Sequence, residues 1–203
     1  MRVKNLNAST IPDLSRNLRR VEDAVNALYD GDGDGSRYAN LVVPASSFRP
    51  PGTSDPTWNG TEVAWSFTGT AANNVLHGAF YLPTAYKEGT SIKVYSRSHW
   101  TTSPAGQKAK FNLLYKWHNL SASISSVWTT AVQKFVLSQT VNTAVRLEFS
   151  IAGTNRKILS EFKFQFERRA TDASDSFGDQ VFVDALGLQY VTDKQGSEFE
   201  LSK

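Results

Sequence analysis

The sequence of 203 residues contains no cysteine. A disulfide scaffold, a zinc site with thiolate ligands and a thiol nucleophile are therefore excluded. Long apolar stretches are missing as well, since nothing approaches the roughly 20 apolar residues of a membrane span. The first twenty residues also lack the apolar segment of a signal peptide. We therefore expect a chain that is made in the cytoplasm and has no membrane partner.

The sequence also lacks a strong excess of one charge. It carries 22 basic and 19 acidic residues, a net charge of +3, which is too balanced to indicate nucleic-acid binding. Hydrophobic residues make up 40% of the chain, enough to form the core of one domain of ordinary size. The composition predicts one globular domain with a small appendage and no nucleic-acid partner.

Apolar residues near the N-terminus recur at alternating intervals of three and four, the heptad pattern of an amphipathic helix. The stripe comprises Ile11, Leu14, Leu18, Val21, Val25 and Leu28. We predict one N-terminal α-helix within residues 1–29. A helix this short is marginally stable alone, so its stripe needs a partner. The partner is its own domain, identical chains in a parallel coiled coil, or a different protein.

Residues 30–37 read DGDGDGSR, and this stretch has two interpretations. Asp30, Asp32 and Asp34 have the spacing of the carboxylate ligands at the start of a calcium loop. The twelfth position of such a loop requires a bidentate glutamate, but here it is Leu41. Alternating glycine frees the backbone and the carboxylates keep it hydrated. We interpret 30–37 as a hinge, with calcium as the alternative and the one candidate cofactor.

After the hinge, the hydrophobic pattern changes to period two, which is typical of strands with one buried and one solvated face. The candidate strands are 39–43, 62–67, 75–82, 91–99, 111–117, 133–140, 145–151, 161–167 and 180–191. Turn-rich segments separate them, and a break in parity near Ala185 indicates a bulge. For residues 38–203 this pattern predicts a mainly β fold, an antiparallel β-sandwich of jelly-roll type.

No group of residues with an evident catalytic role stands out. The nucleophile-elbow and phosphate-loop motifs are both missing. Three histidines in candidate strands would form a metal site only if their strands were neighbours; they are His77, His99 and His118. An acidic cluster could hold the paired carboxylates of a glycan hydrolase; it comprises Asp172, Asp175, Asp179 and Asp184. Its composition favours a polar loop instead, so we predict a protein that is not an enzyme.

Five tryptophans are many for a chain of this length. Trp65 and Trp117 fall on the apolar faces of predicted strands. Three others lie beside loops or at strand ends: Trp58, Trp100 and Trp128. Rings in such places pack locally, become buried in a protein interface, or stack on sugar rings. These three are our candidate contact residues for an interface or a glycan.

Two stretches, FYLPTAYKEGTSIKVYSRSHW (80–100) and FNLLYKWHNL (111–120), resemble a pattern of small virion proteins of tailed bacteriophages. In that pattern a strand ends in Leu-Pro, and a Tyr and a Gly-Thr precede a strand that ends in Trp. A strand of alternating aromatic residues follows. The segment 164–203 adds an Arg-rich strand end, an acidic loop and a last strand followed by Asp-x-x-Gly-Ser. The resemblance covers residues 62 to 203.

This resemblance implies a jelly-roll or related sandwich, usually trimeric, that serves as head decoration, head fibre or tail part. We therefore expect a non-enzymatic structural protein of the virion, made in the bacterial host cytoplasm. Its partners would be itself, as a homotrimeric capsid decoration, cement or head-fibre protein, and the major capsid or tail protein. The alternative is a tail or fibre component whose sandwich binds a glycan of the host surface.

Overall fold

The computed structural model describes residues 37–52, 56–71, 74–122, 126–137 and 140–192. The predicted helix within 1–29 and its heptad stripe lie outside these residues, and so do Asp30, Asp32 and Asp34 of the predicted hinge. Of the hinge, only Arg37 is described, and it begins the first strand. In the described part of the chain, no helix is long and apolar enough to cross a membrane.

Ten strands make up most of the described chain. They are β1 (Arg37–Pro44), β2 (Thr57–Asn59), β3 (Ala64–Phe67), β4 (Asn74–Tyr81), β5 (Ile92–His99), β6 (Lys108–His118), β7 (Thr129–Val136), β8 (Val145–Ile151), β9 (Glu161–Arg168) and β10 (Val181–Thr192). A single 3-10 turn, Ala45–Ser47, follows β1. The strands form two antiparallel sheets, and this confirms the predicted mainly β sandwich.

The first sheet, sheet A, has the order β2-β3-β10-β5-β8. β3 pairs with the start of β10, residues 181–183, and β1 pairs with the rest of β10, residues 185–192. The second, sheet B, has the order β4-β9-β6-β7. Four antiparallel pairs are nested in sequence: β6 with β7, β5 with β8, β4 with β9, and β3 with β10. A long hairpin rolled so that its paired strands divide between two sheets is a jelly roll. This nested pairing is consistent with the predicted jelly-roll-like sandwich.

The core lies between the sheets and is rich in aromatic rings. Because side chains alternate along a strand, Phe162, Phe164 and Phe166 of β9 all point inward and are buried. Phe164 stacks on Phe80 with ring centroids 5.1 Å apart, and Phe166 stacks on Phe111 at 5.0 Å. The inward side of sheet B is thus closed by packing, which leaves its outward side for other contacts.

The observed strands differ most from the predicted ones in three places. β2 lies in a segment rich in proline and glycine, which we read as a turn, and its three residues pair only with β3. β7 spans Thr129–Val136 and not 133–140, and β6 begins at Lys108 and not at 111, because the two strands pair along this length. The bulge is confirmed: the register of β10 on β5 shifts between Val183 and Ala185.

Candidate functional site

The three candidate tryptophans lie in different environments and do not meet. Trp100, at the end of β5, is 1% exposed and lies in the core, so its ring offers no surface to a glycan. Trp58 of β2 is 37% exposed, and its ring centroid lies 5.3 Å from that of Trp65 in an edge-to-face contact. Trp128 lies just before β7, is partly exposed and lines a groove on sheet B.

The three histidines do not converge on one point. His77 lies on the outward face of β4, and His118 of β6 is bonded through Nδ1 to Glu161 at 3.2 Å. His99 lies on sheet A between two carboxylates, with Nε2 3.1 Å from Glu62 and Nδ1 3.0 Å from Asp184. Among the residues that the structure describes, no group of three His, Asp or Glu side chains could hold a metal ion.

The acidic cluster is engaged in structural contacts. Asp175 forms a two-pronged ion pair with Arg168, and both side chains are buried. Asp172 accepts a hydrogen bond of 2.5 Å from Lys110 Nζ, and this contact, with those from Ser174, holds the pKa of Asp172 well below its usual range. The carboxylates of the loop therefore fasten it to the sandwich, as the polar-loop interpretation predicts.

The other two carboxylates of the cluster have opposite pKa shifts. A hydrogen bond from the Thr102 side chain, and a second from the backbone N–H of Gln180, lower the pKa of Asp179. Burial raises the pKa of Asp184, although the neighbouring His99 counteracts this effect. Asp184 lies at the bulge of β10 and contacts His99. Each of the four carboxylates is thus engaged by a neighbouring cation, histidine or hydrogen-bond donor.

A groove on the outward face of sheet B is a candidate binding site. Its volume is about 380 Å³. Its lining includes the polar residues His77, Lys116, Lys163 and Gln165 and the aromatic residues Trp128 and Phe164. The register of the strands brings them together, because Gln165 of β9 pairs with His77 of β4, and Lys163 pairs with Lys116 of β6. These pairs form two adjacent rows across the sheet, with Trp128 at one side.

The groove combines an aromatic ring with basic and neutral polar groups. Lys116 Nζ lies 4.6 Å from the centroid of the Trp128 ring, which is within the range of a cation–π contact. Burial lowers the pKa of His77, which favours the neutral imidazole with one hydrogen-bond donor and one acceptor. Gln165 adds an amide with two donors and an acceptor. Such a lining suits a neutral or anionic ligand with many hydroxyl groups.

Our sequence analysis identified Trp128 but missed its companions. It assigned no role to the lysines of β6, and it considered His77 only as part of a metal site with His99 and His118. Their outward direction could have been predicted from the alternation of side chains along each strand. Because core residues alternate with them, the side chains must point away from the core in the case of Lys116, Lys163, Gln165 and His77. Which outward residues become neighbours depends on the strand order, and the sequence does not state it.

No protein-family model matches the chain, and no curated protein matches it. Solved structures that resemble it include dimeric latent PorU from Porphyromonas gingivalis (TM-score 0.38, 13% identity, 77% of this chain and 13% of PorU). Another is the xylan-binding module CBM15 (TM-score 0.39, 8% identity, 75% of this chain and 97% of the module). A third is the stem and receptor binding domain of spike protein P1 from bacteriophage PM2 (TM-score 0.32, 11% identity, 72% of this chain and 66% of that chain).

Proposed function

We propose that this chain is a non-catalytic component of a bacteriophage tail or fibre, and that its sandwich binds a glycan of the host surface. The observation that carries the binding role is the groove on sheet B, where Trp128 lies beside a row of outward polar side chains. The place in a virion rests on the sequence resemblance of residues 62 to 203.

The groove has the two components that a sugar ring requires. Lys116 lies over one face of the Trp128 ring, and the opposite face would be the apolar surface on which the C–H face of a pyranose ring lies. Gln165, His77 and Lys163 line the same groove and would supply hydrogen-bond donors and acceptors for hydroxyl groups. A few polar groups around an apolar platform determine orientation and specificity in sites of this size.

The absence of catalysis is part of the proposal and is supported by the state of the carboxylates. A glycoside hydrolase needs two carboxyl groups roughly 5 to 10 Å apart on either side of the scissile bond. The described residues that line the groove include no aspartate or glutamate. In the acidic loop, Asp175 is paired with Arg168 and Asp172 is paired with Lys110. A sugar in the groove would therefore be held without being cleaved.

Replacing Trp128 by alanine in the full chain is expected to weaken glycan binding about thirty-fold, because the main contact surface of the ligand is lost. The estimate corresponds to the loss of about 2 kcal/mol that is typical of a central aromatic contact. Binding is measured on an array of oligosaccharides from bacterial surface polysaccharides, and the glycan that binds is then titrated calorimetrically.

The matched control is Trp58→Ala, which removes an equally large, partly exposed ring from sheet A. This variant should bind the same glycan with unchanged affinity. If Trp58→Ala weakens binding as much as Trp128→Ala does, the groove is not the binding site. If the unmodified chain binds no glycan of the array or of whole host cells, the binding role is contradicted.

A second candidate function is a homotrimeric capsid decoration, cement or head-fibre protein, and the heptad stripe from Ile11 to Leu28 favours it. In this role the stripe would pair identical chains, and the sandwich would sit on the major capsid protein. The double variant Leu18→Asp and Val21→Asp places charges in the seam of such a coiled coil, where unpaired charge is strongly destabilising.

We expect light scattering after size exclusion to give the mass of three chains for the parent and of one chain for the double variant. The near-UV circular dichroism spectrum of the sandwich should not change, because both substitutions lie outside residues 37–192, which contain all five tryptophans. A variant that keeps the parent's trimer mass would contradict the coiled coil. A parent that is already a monomer would contradict the trimer.

A further inference from the structure

A second recess opens beside the groove, where β6 ends and residues 152–156 follow β8. Its volume is about 300 Å³, and its lining includes Trp117, Thr129, Thr154 and Arg156. Lys116 lines both the recess and the groove. The shared lysine makes the two sites adjacent, so that one elongated ligand can occupy both.

Two hydrogen-bond donors at the recess have no acceptor. Trp117 is 7% exposed, and its Nε1–H is buried without a partner; the same is true of Nε of Arg156. The two side chains are in contact, since the Arg156 guanidinium carbon lies 5.2 Å from the centroid of the Trp117 ring. Buried polar groups in native proteins are rarely unpaired. A ligand that supplies acceptor oxygens would pair both donors.

The charge of the recess restricts the ligand further. Both charged residues in its described lining, Lys116 and Arg156, are cationic. Glu161, the carboxylate on the neighbouring strand, is already bonded to His118 at 3.2 Å and to Lys163 at 3.3 Å. Burial alone would raise the pKa of Glu161, but hydrogen bonds from Lys163, His118 and Tyr81 outweigh it and lower the pKa. The described lining of the recess therefore contains no carboxylate.

We propose that the recess receives the carboxylate of an acidic sugar, a uronate or a related sugar acid, whose neighbouring sugar unit lies on Trp128. A carboxylate is planar and offers two acceptor oxygens, which match the donor fork of a guanidinium and make strong charge-assisted hydrogen bonds. This inference rests on the proposed glycan-binding function and defines its ligand class: an acidic glycan that spans the groove and the recess.

The test uses the indole N–H signals of the full chain in proton–nitrogen NMR spectra. The Trp117 and Trp128 signals are assigned from their loss in Trp117→Phe and Trp128→Phe. Sodium glucuronate is then titrated, with glucose as the neutral match and glucose 6-sulfate as an anion of different geometry. We expect the Trp117 signal to shift saturably with glucuronate and not with glucose. The Arg156→Gln variant should bind glucuronate about tenfold more weakly.

The control for Arg156→Gln is Arg146→Gln, which removes the same charge from sheet A, where Arg146 lies over the Tyr95 ring. It should leave the titration unchanged. A Trp117 signal that does not respond to glucuronate would overturn the proposal. So would an equal response to glucose 6-sulfate, because the site would then select charge and not a carboxylate, and so would equal weakening by the two arginine variants.

The two tryptophan signals separate this inference from the proposed function. If a neutral oligosaccharide shifts Trp128 while glucuronate leaves Trp117 unmoved, the groove binds sugars and the carboxylate recess is wrong. If glucuronate shifts Trp117 while no oligosaccharide shifts Trp128, the recess binds carboxylates and the glycan-binding function is wrong.

Discussion

Replacing Arg168 by methionine is expected to lower the free energy of unfolding by about 3–5 kcal/mol, the cost of leaving a buried ion without its partner. The guanidinium is completely buried. It donates from Nε and Nη2 to the two carboxylate oxygens of Asp175, both at 3.1 Å. Nη1 donates to the carbonyls of Phe67 at 3.0 Å and Asp179 at 2.6 Å, and Nη2 donates to that of Phe177. One side chain thus holds the loop after β9 against the end of β3.

Thermal unfolding monitored by circular dichroism measures the effect, and a fall in Tm of about 10 °C is expected for a chain of this size. The control is Arg169→Met. Arg169 is the next residue, is 46% exposed and is paired with Glu167, so its loss should cost no more than about 1 kcal/mol. Equal losses in the two variants would contradict the structural role of Arg168.

A second variant distinguishes the free-energy cost of the unpaired buried charge from the cost of the lost side-chain contacts. Replacing both partners, in Arg168→Met with Asp175→Leu, removes the buried carboxylate that the single variant leaves without its cation; among the described residues, only the backbone N–H groups of Lys110 and Phe177 stay bonded to it. A buried ion pair replaced by apolar side chains is often neutral or stabilising. We expect the double variant to be more stable than Arg168→Met, and a double variant that is less stable would contradict this explanation.

Replacing Gly153 by alanine is expected to cost about 3 kcal/mol or more, at the upper end of what overpacking costs. A Cβ at this position would lie 1.7 Å from the carbonyl oxygen of Thr90 and 2.4 Å from the hydroxyl of Tyr86. Thr90 precedes β5, Gly153 follows β8, and the two strands are neighbours in sheet A. Because the first obstacle is backbone, it cannot rotate away as a flexible side chain would.

The same substitution at Gly178 is the matched control. A Cβ on Gly178 would meet nothing within 4 Å, so Gly178→Ala should change the free energy of unfolding by less than about 0.5 kcal/mol. Urea unfolding of both variants, monitored by tryptophan fluorescence, measures the difference. If Gly153→Ala unfolds at the same urea concentration as Gly178→Ala, the close approach of the two strand ends is not rigid.

Period-two alternation predicted most of the fold. The inward parity of Phe162, Phe164 and Phe166 was enough to locate β9 and its buried face. The same parity extends to Arg168, so a cation on an apolar face was a readable sign of a buried ion pair. The same reasoning applies to β5. Trp100 lies an even number of residues after the core residues Ile92 and Val94, so its side chain points to the same face and is buried.

The features that could not be predicted depend on which strands become neighbours. β2 has three residues and no alternation, and it exists as a strand only because β3 offers an open edge. The groove was unpredictable for the same reason. Its polar residues come from β4, β9 and β6, and their adjacency is a property of the strand order. Trp128 was identified as a candidate contact, but its partners required the register.

The nested pairing of the strands also determines when each sheet can form during synthesis. β6 and β7 are consecutive, so their hairpin can close as soon as they are made, whereas Phe67 of β3 must wait for Val181 of β10. β10 is the last described strand and contacts β1, β3 and β5. Until it emerges from the ribosome, these strands have open edges and exposed apolar faces, which favour aggregation. A chain cut before Val181 would retain every strand of sheet B but would lose the central strand of sheet A.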